Sequence, residues 1–257
     1  MATVASLWIG DRLGMIEQAS IRSFLKVGDH FILYAYNPIA GVPDGVEMRD
    51  AQEIYPCHNI IRHRKSGSPA LHSDLFRYAL LAKTDCIWVD LDMIALRSFD
   101  FPSEWVFGIE TEGEVNGAVL NMPKNSKALQ ELLKFNERMV GFPPMMKGWQ
   151  RVRYWFKSWG REMTIDRWPW GSIGPRALSH YLHLHDEFKY AMPVSAFYAI
   201  PLQRAHEFAI PGKLMLDDLP KDAWGVHLWG KELRQYLKEN GMETAPEGSF
   251  LHSFIAG

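Results

Sequence analysis

The chain has 257 residues, enough for one domain with a sizeable buried core. Its 47% hydrophobic and 23% charged content is that of a folded globular protein, which excludes disorder and a fibrous architecture. Lys+Arg 28 against Asp+Glu 30 leaves a net charge of −2, so no chain-wide field is available to hold nucleic acid and any basic site is local.

The first predicted element is the short apolar strand Leu7-Trp8-Ile9, ended by Gly10. Apolar residues at helical spacing from Ile16 to Val27, closed by Gly28, predict a helix, and Phe31 to Tyr36 a second strand ended by Asn37-Pro38. Val42-Pro43-Asp44-Gly45 is turn chemistry. Ser68-Pro69 opens the next helix, with Ser68 as N-cap and Pro69 where its missing N–H costs nothing, and the pattern runs to about Lys83. Cys86 to Val89 is a short apolar run without alternation, which fits a parallel strand covered on both faces. Gly117 to Met122 predicts another strand and Ser126 to Met139 an amphipathic helix, before the break Gly141-Phe142-Pro143-Pro144. Further on, Gly174-Pro175 leads into a helix, Gly225 to Trp229 is a strand, and Lys231 to Asn240 a helix capped by Gly241. The order of strands and helices predicts an α/β fold with a mixed, mostly parallel sheet flanked by helices and a helical, elaborated second half.

Five of the ten tryptophans fall between Trp149 and Trp170, mixed with Arg151, Arg153, Lys157, Arg161 and Arg167. Trp149, Val152, Phe156 and Trp159 recur at helical spacing, which places the stripe in the core and the cations in water. The alternatives for residues 149–167 are an acceptor platform or a peripheral membrane contact, since aromatics stack on sugars and cations attract anionic head groups. No stretch reaches the roughly 20 apolar residues of a membrane span. Met1 to Trp8 lacks a basic start, and Gly10-Asp11-Arg12 interrupts any signal-peptide core. Cys57 and Cys86 fit neither a disulfide framework nor a zinc spacing. A cytoplasmic protein is expected, peripheral to the cytoplasmic face of the membrane where it touches one.

Chemistry concentrates after the third strand. Asp90 and Asp92 follow Ile87-Trp88-Val89, and side chains two apart on an extended segment point the same way, so both carboxylates can reach one ion. In open α/β sheets, ligands collect at the carboxyl ends of the strands. Oxygen ligands of this kind suit Mn²⁺ or Mg²⁺, which also hold phosphate oxygens. The plain alternative for an Asp-x-Asp is a solvated acidic turn. On the preceding helix Asp74 and Arg77 are three apart and share a face; as a surface pair they would contribute only about 0.2–0.5 kcal/mol. His180, His183 and His185 form a second candidate cluster, but a helix leading from Pro175 splays alternate residues apart.

The segment Ser73-Asp74-Leu75-Phe76-Arg77-Tyr78, followed by Ile87-Trp88-Val89-Asp90-Leu91-Asp92, resembles the glycosyltransferases with a sugar-binding DXD region. That group includes capsular-polysaccharide, α-mannosyl and α-galactosyl transferases and has the GT-A fold. The resemblance implies that Asp74 and Arg77 bind the donor's sugar and phosphates, that Trp88 packs near the nucleotide, and that Asp90 and Asp92 hold a divalent metal and the ribose. Many members carry Gly-Gly where this chain has Asp85-Cys86. Asn116, in Val115-Asn116-Gly117, is similar in place to an Asn that faces the transferred sugar, and is equally readable as an Asn-Gly turn. Trp170 to Pro175 is similar to a Gly-Pro segment near the acceptor. Val226-His227-Leu228-Trp229-Gly230-Lys231 resembles the His-x-Trp element that closes the donor site. It implies His227 as a metal ligand and Lys231 on the diphosphate, with Trp229 on the face of His227 if the segment is extended; a packed core histidine is the alternative. Trp8 falls in the uridine pocket of the resemblance, or in the core.

The resemblance therefore implies a single glycosyltransferase domain over residues 1–257, with 1–125 as the nucleotide-sugar-binding half and 126–257 as the acceptor-side, closing half. Its expected activity is the retaining, metal-dependent transfer of a hexose or N-acetylhexosamine from a nucleotide-sugar, UDP-linked, to a saccharide or lipid-linked saccharide. Two rivals use the same residues: a metal-dependent nucleotide-sugar phosphohydrolase and a non-catalytic nucleotide-sugar or glycan-binding module.

Overall fold

The computed structural model describes residues 1–159, 161 and 163–255. In chain order the first half holds strand β1 (Thr3–Trp8), helix α1 (Met15–Lys26), β2 (His30–Ala35), β3 (Glu47–Asp50), α2 (Ala70–Lys83), β4 (Ile87–Val89), β5 (Met93–Ala95), β6 (Val106–Thr111) and β7 (Glu114–Asn121). The second half holds α3 (Lys127–Leu132), α4 (Gly148–Ser158), α5 (Pro175–Leu184), β8 (Gly225–His227) and α6 (Gly230–Glu239), linked by short 3₁₀ turns.

Six strands form one sheet in the order β3-β2-β1-β4-β7-β6. β1 lies parallel to β2 and β4, and β2 parallel to β3. β7 alone runs against its neighbours β4 and β6. This is the mixed, mostly parallel sheet flanked by helices that the sequence predicts. Residues alternating along β1 and β2 serve two cores, because successive side chains leave a strand on opposite faces. Val4, Phe31 and Leu33 pack with α1 and α6 through Ile16, Phe24, Leu233 and Leu237. Ala5, Ile32 and Tyr34 pack on the other face with α2, α3 and α5 through Phe76, Leu129 and Leu178. A second, two-stranded sheet pairs β5 with β8.

Several boundaries differ from the sequence reading. β1 starts at Thr3, not Leu7, and β3, β5 and β6 carry no prediction; β3 is the polar edge Glu-Met-Arg-Asp, and β5 spans only three residues. In α2 Pro69 is itself the N-cap, and the Ser68 hydroxyl accepts from the Ala70 N–H at 3.2 Å. Helix α3 stops at Leu132 rather than Met139. Beyond it the Asn136 side chain bonds the Lys134 carbonyl and the Arg138 N–H, offering the backbone a local alternative to the helix.

The largest correction concerns α4. Its helix forms, but Trp149, Val152, Phe156 and Trp159 are not in the core: with Trp155 they are 53–90% exposed. The physical reason is that α4 turns Tyr154, and not its apolar stripe, toward the core. Gly141 donates to Met163 (2.9 Å), Val140 bridges Thr164, and the buried Trp168 indole donates to Gly141 (2.8 Å). Periodicity marks a stripe without saying what covers it. Within the 149–167 stretch, residues 160 and 162 and the side chain of Lys157 lie outside the described residues. Among the described residues, no helix is long and apolar enough to cross a membrane.

Candidate functional site

The candidate site lies where the carboxyl ends of β1 and β4 meet. β1 has β2 on one side and β4 on the other, so the strand order reverses between these two strand ends, the place where ligands of such sheets collect. Asp90 and Asp92 follow β4 directly. They converge on a turn, not on the extended segment expected: Met93 N–H donates to the Asp90 carbonyl at 3.1 Å. The chain then enters β5, whose antiparallel pairing with β8 sets Met93 opposite His227. Leu228 N–H donates to the Asp92 carbonyl at 2.8 Å and locks that register. The short β5–β8 sheet is therefore what carries His227 to the acidic pair.

Each carboxylate is held from behind. Asp90 Oδ1 accepts from Trp88 Nε1 at 2.8 Å and from Arg77 Nη2 at 3.0 Å, bonds that leave Oδ2 uncommitted. Arg77 Nη1 donates to the Gly117 carbonyl at 2.7 Å, and its guanidinium sits 5.0 Å over the Trp88 ring. Asp92 Oδ2 accepts from Gly230 N–H at 2.8 Å, while Oδ1 lies 3.2 Å from His227 Nε2. One ligand atom each from Asp90, Asp92 and His227 fall within 4.8 Å of one another, the single such group among the described residues. His227 Nδ1 is buried without a hydrogen-bond partner.

Three glycines make these approaches possible. A Cβ at Gly117 would stand 2.5 Å from Arg77 Nη1, one at Gly174 2.7 Å from Asp74 Oδ2, and one at Gly230 2.9 Å from Asp92 Oδ2. Gly174, at the head of α5, thus explains the Gly-Pro segment as a close approach to the Asp74 carboxylate.

Burial and charge oppose each other across the cluster. Burial raises the Asp74 pKa to about 7, against the lowering pull of Arg77 and with the Asp90 charge adding to the rise. Burial likewise raises Asp90, with Arg77 opposing and Asp92 reinforcing. At Asp92 burial also raises, but His227, the Gly230 N–H and Arg234 outweigh it and bring the group down to about 2. For His227 burial lowers, and the Asp92 carboxylate overturns that, so the imidazole holds its proton above its usual range. The Asp92 carboxylate therefore favours the protonated form of the ring.

The other predicted residues fall into place unevenly. Arg77 is 7% exposed and spends its terminal nitrogens on Gly117 and Asp90, so it positions Asp90 and is not laid open to a donor's phosphates. Trp88, expected beside the nucleotide, is buried and orients the same carboxylate. Asp74 is buried 3.6 Å from Arg77. Trp229 does not share an extended face with His227. Its backbone is left-handed at φ 55°, its ring meets the imidazole edge-on at 4.3 Å, and its N–H donates to Ile200 at 2.8 Å. Lys231, on the first turn of α6, has a side chain 87% exposed, 3.6 Å from Glu232. Asn116 donates to Glu110 (2.8 Å) and accepts from Ala118 N–H (2.8 Å). Trp8, the last residue of β1, is half-buried with its indole N–H unpartnered. The histidines gather no second site: His183 bonds the Gly113 carbonyl and stacks on Phe188, and His180 packs on Tyr181.

Sequence reasoning missed Gly230, Glu110 and Tyr198, whose hydroxyl reaches the Asn116 carbonyl at 3.4 Å. Gly230 carried a signal, since it follows His-x-Trp directly; Glu110 and Tyr198 carried none. A cavity of about 600 Å³ opens at the opposite, amino end of β1 and β4, beside Thr3, Asp85 and Lys124. It lacks every residue of the acidic cluster, so clustered donors and not cavity volume mark the site.

Two predictions follow from the packing. Asp74 binds a proton more tightly folded than unfolded, so it weakens the fold as pH rises from about 4 through about 7. Asp74→Asn removes that penalty, a few kcal/mol at about 1.4 kcal/mol per pKa unit. Thermal melts should show the variant gaining on wild type at about pH 8 relative to about pH 5; an offset independent of pH would contradict the assignment. Gly117→Ala should push Arg77 off Asp90 and cost about 1–3 kcal/mol in denaturant unfolding.

No protein-family model matches the chain, and no curated protein matches it in sequence. Among solved structures it is similar to the PaToxG glycosyltransferase, at 13% identity and TM-score 0.44, over 72% of this chain and 70% of that one. It is also similar to the apo structure of the WbbM bifunctional glycosyltransferase, at 10% identity and TM-score 0.36. The latter match covers 100% of this chain and 52% of that one, so the chain spans about half its length. Likenesses this distant assign no activity here.

Proposed function

We propose that the chain is a metal-dependent glycosyltransferase that takes a hexose or N-acetylhexosamine from a UDP-sugar and passes it, with retention, to a saccharide or lipid-linked saccharide. The observation that carries this reading is the convergence of Asp90, Asp92 and His227 within 4.8 Å at the strand ends. The motif resemblance supplies the donor class and the retention.

The donor set suits the ion. The two carboxylates match the oxygen preference of Mn²⁺ or Mg²⁺, the imidazole favours Mn²⁺ of the two, and His227 Nδ1 has no hydrogen-bond partner. Asp90, Asp92 and His227 would hold the cation, which supplies Lewis acidity and a template for the diphosphate. The remaining work belongs to the chain. Arg77 and Trp88 keep Asp90 from turning away, and the Gly230 N–H does the same for Asp92. The amino end of α6 aims its dipole at the cluster, and Lys231 on that turn supplies a mobile cation for the leaving diphosphate. Trp8, at the end of the neighbouring strand, offers a face to the uracil base. Asn116, fixed by Glu110, would contact the transferred sugar.

Thermal shift assays across nucleotide-sugars should show stabilisation by a UDP-sugar only with Mn²⁺ or Mg²⁺, abolished in Asp92→Asn. Equal responses of wild type and variant to every donor would remove the site. Turnover should then depend on an added saccharide; fast donor breakdown indifferent to it would establish the phosphohydrolase instead, and tight UDP binding without turnover the binding module.

The charge state of His227 sets a pH dependence. Its pKa is raised, so a cation must displace a proton from the ring. Mn²⁺ affinity should climb with pH across and above the usual histidine range near 6.5. His227→Asn should bind more weakly and with a flatter pH profile, measured by titration calorimetry.

A further inference from the structure

The feature left without a role is α4. At 3.6 residues per turn, Trp149, Val152, Trp155 and Phe156 fall within about 120° of arc, and the exposed Trp159 caps the helix end. Tyr154, on the opposite side, is the helix residue that packs against the core. The apolar arc therefore points straight away from the body. Arg151 and Arg153 are exposed and flank the arc, one on each edge. Arg151 is steadied by the carbonyls of Met146 (2.9 Å) and Pro144 (3.3 Å), bonds that leave its charge intact.

Charge decides what covers this face. From Arg138 to Arg161 the sequence carries Arg138, Lys147, Arg151, Arg153, Lys157 and Arg161 and not one Asp or Glu, in a chain whose net charge is −2. A second copy of the same surface would repel it, and an apolar protein groove has no use for the cations. A surface that is anionic outside and apolar beneath satisfies both sets of groups at once. Tryptophan and arginine are the residues that settle at such a boundary, the indoles among the acyl ends of the head groups and the guanidiniums on the phosphates.

We propose that α4 is an interfacial anchor that lays its tryptophan face into an anionic phospholipid bilayer. The Val140–Thr164 bridge and the Trp168–Gly141 bond fix the base of the segment that carries it. The cations draw the protein to the surface and the aromatics then enter it, so salt weakens the first step and aromatic loss the second. Trp170 is also exposed.

The test is co-sedimentation of the full chain with vesicles of phosphatidylcholine alone or with about 30% phosphatidylglycerol, at low salt and at about 0.5 M NaCl. Wild type should pellet with anionic vesicles at low salt, at least about tenfold more tightly than with neutral ones, and be released by salt. Trp155→Glu/Phe156→Glu and Arg151→Glu/Arg153→Glu should each lose about tenfold or more in vesicle affinity while melting at the wild-type temperature, because these side chains are exposed. Absence of pelleting, equal pelleting with neutral vesicles, or variants that pellet like wild type would each overturn the proposal. So would reversible self-association of wild type, abolished by the aromatic variant, in the absence of lipid binding.

Discussion

Two carboxylates buried at the end of one strand repel each other and resist losing water, and the local structure around β4 is shaped by the need to answer both costs. Asp90 is answered from α2, by Arg77, and from its own strand, by Trp88. Asp92 is answered from the far end of the chain, by the Gly230 N–H and His227. Removing Arg77 or His227 leaves a charge buried without its partner, the costliest change such a cluster can suffer. The glycines at 117, 174 and 230 belong to the same solution, since a Cβ at any of them would occupy the space of a charged group.

The answers are unequal, and the inequality has chemical content. Arg77 stands between Asp74 and Asp90, one positive charge for two acids, and burial leaves both acids with raised pKa values. Asp92, paired with His227 and a helix amino end, is driven the other way. Burial thus favours the protonated acids on the α2 side, and Asp92 favours the protonated imidazole at His227. On the proposed reading, a divalent cation arriving between Asp90 and Asp92 would replace that proton with a stronger charge.

What the sequence discloses about this site is what is local. Asp74 and Arg77 are one helical step apart, and Asp90 and Asp92 follow an apolar strand, so spacing alone puts them near one another. The extended geometry assumed for Asp90 and Asp92 is wrong, because a turn forms there, yet the carboxylates still meet. The roles of Arg77 and Trp88 are hidden in the sequence, because whether a side chain faces a ligand or backs a carboxylate depends on what buries it. Glu110 and Tyr198 carry no pattern at all; β6 and the loop before β8 deliver them through tertiary contacts. The fold class follows from the order of apolar runs, while the polar edge strand β3 and the three-residue β5 lack the periodicity that would mark them. α4 shows the limit most plainly: its stripe is correctly periodic and faces outward, because amphipathicity fixes a direction and the rest of the molecule decides what lies there.

The account rests on one divalent cation seated between Asp90, Asp92 and His227. Electron paramagnetic resonance of the protein titrated with Mn²⁺ tests this directly. It predicts one bound ion per chain, with electron spin-echo modulation from a coordinated imidazole nitrogen that disappears in His227→Asn, and no bound ion in a variant carrying both Asp90→Asn and Asp92→Asn. Mn²⁺ that binds that double variant as tightly as wild type, or that shows no nitrogen coupling in wild type, would contradict it.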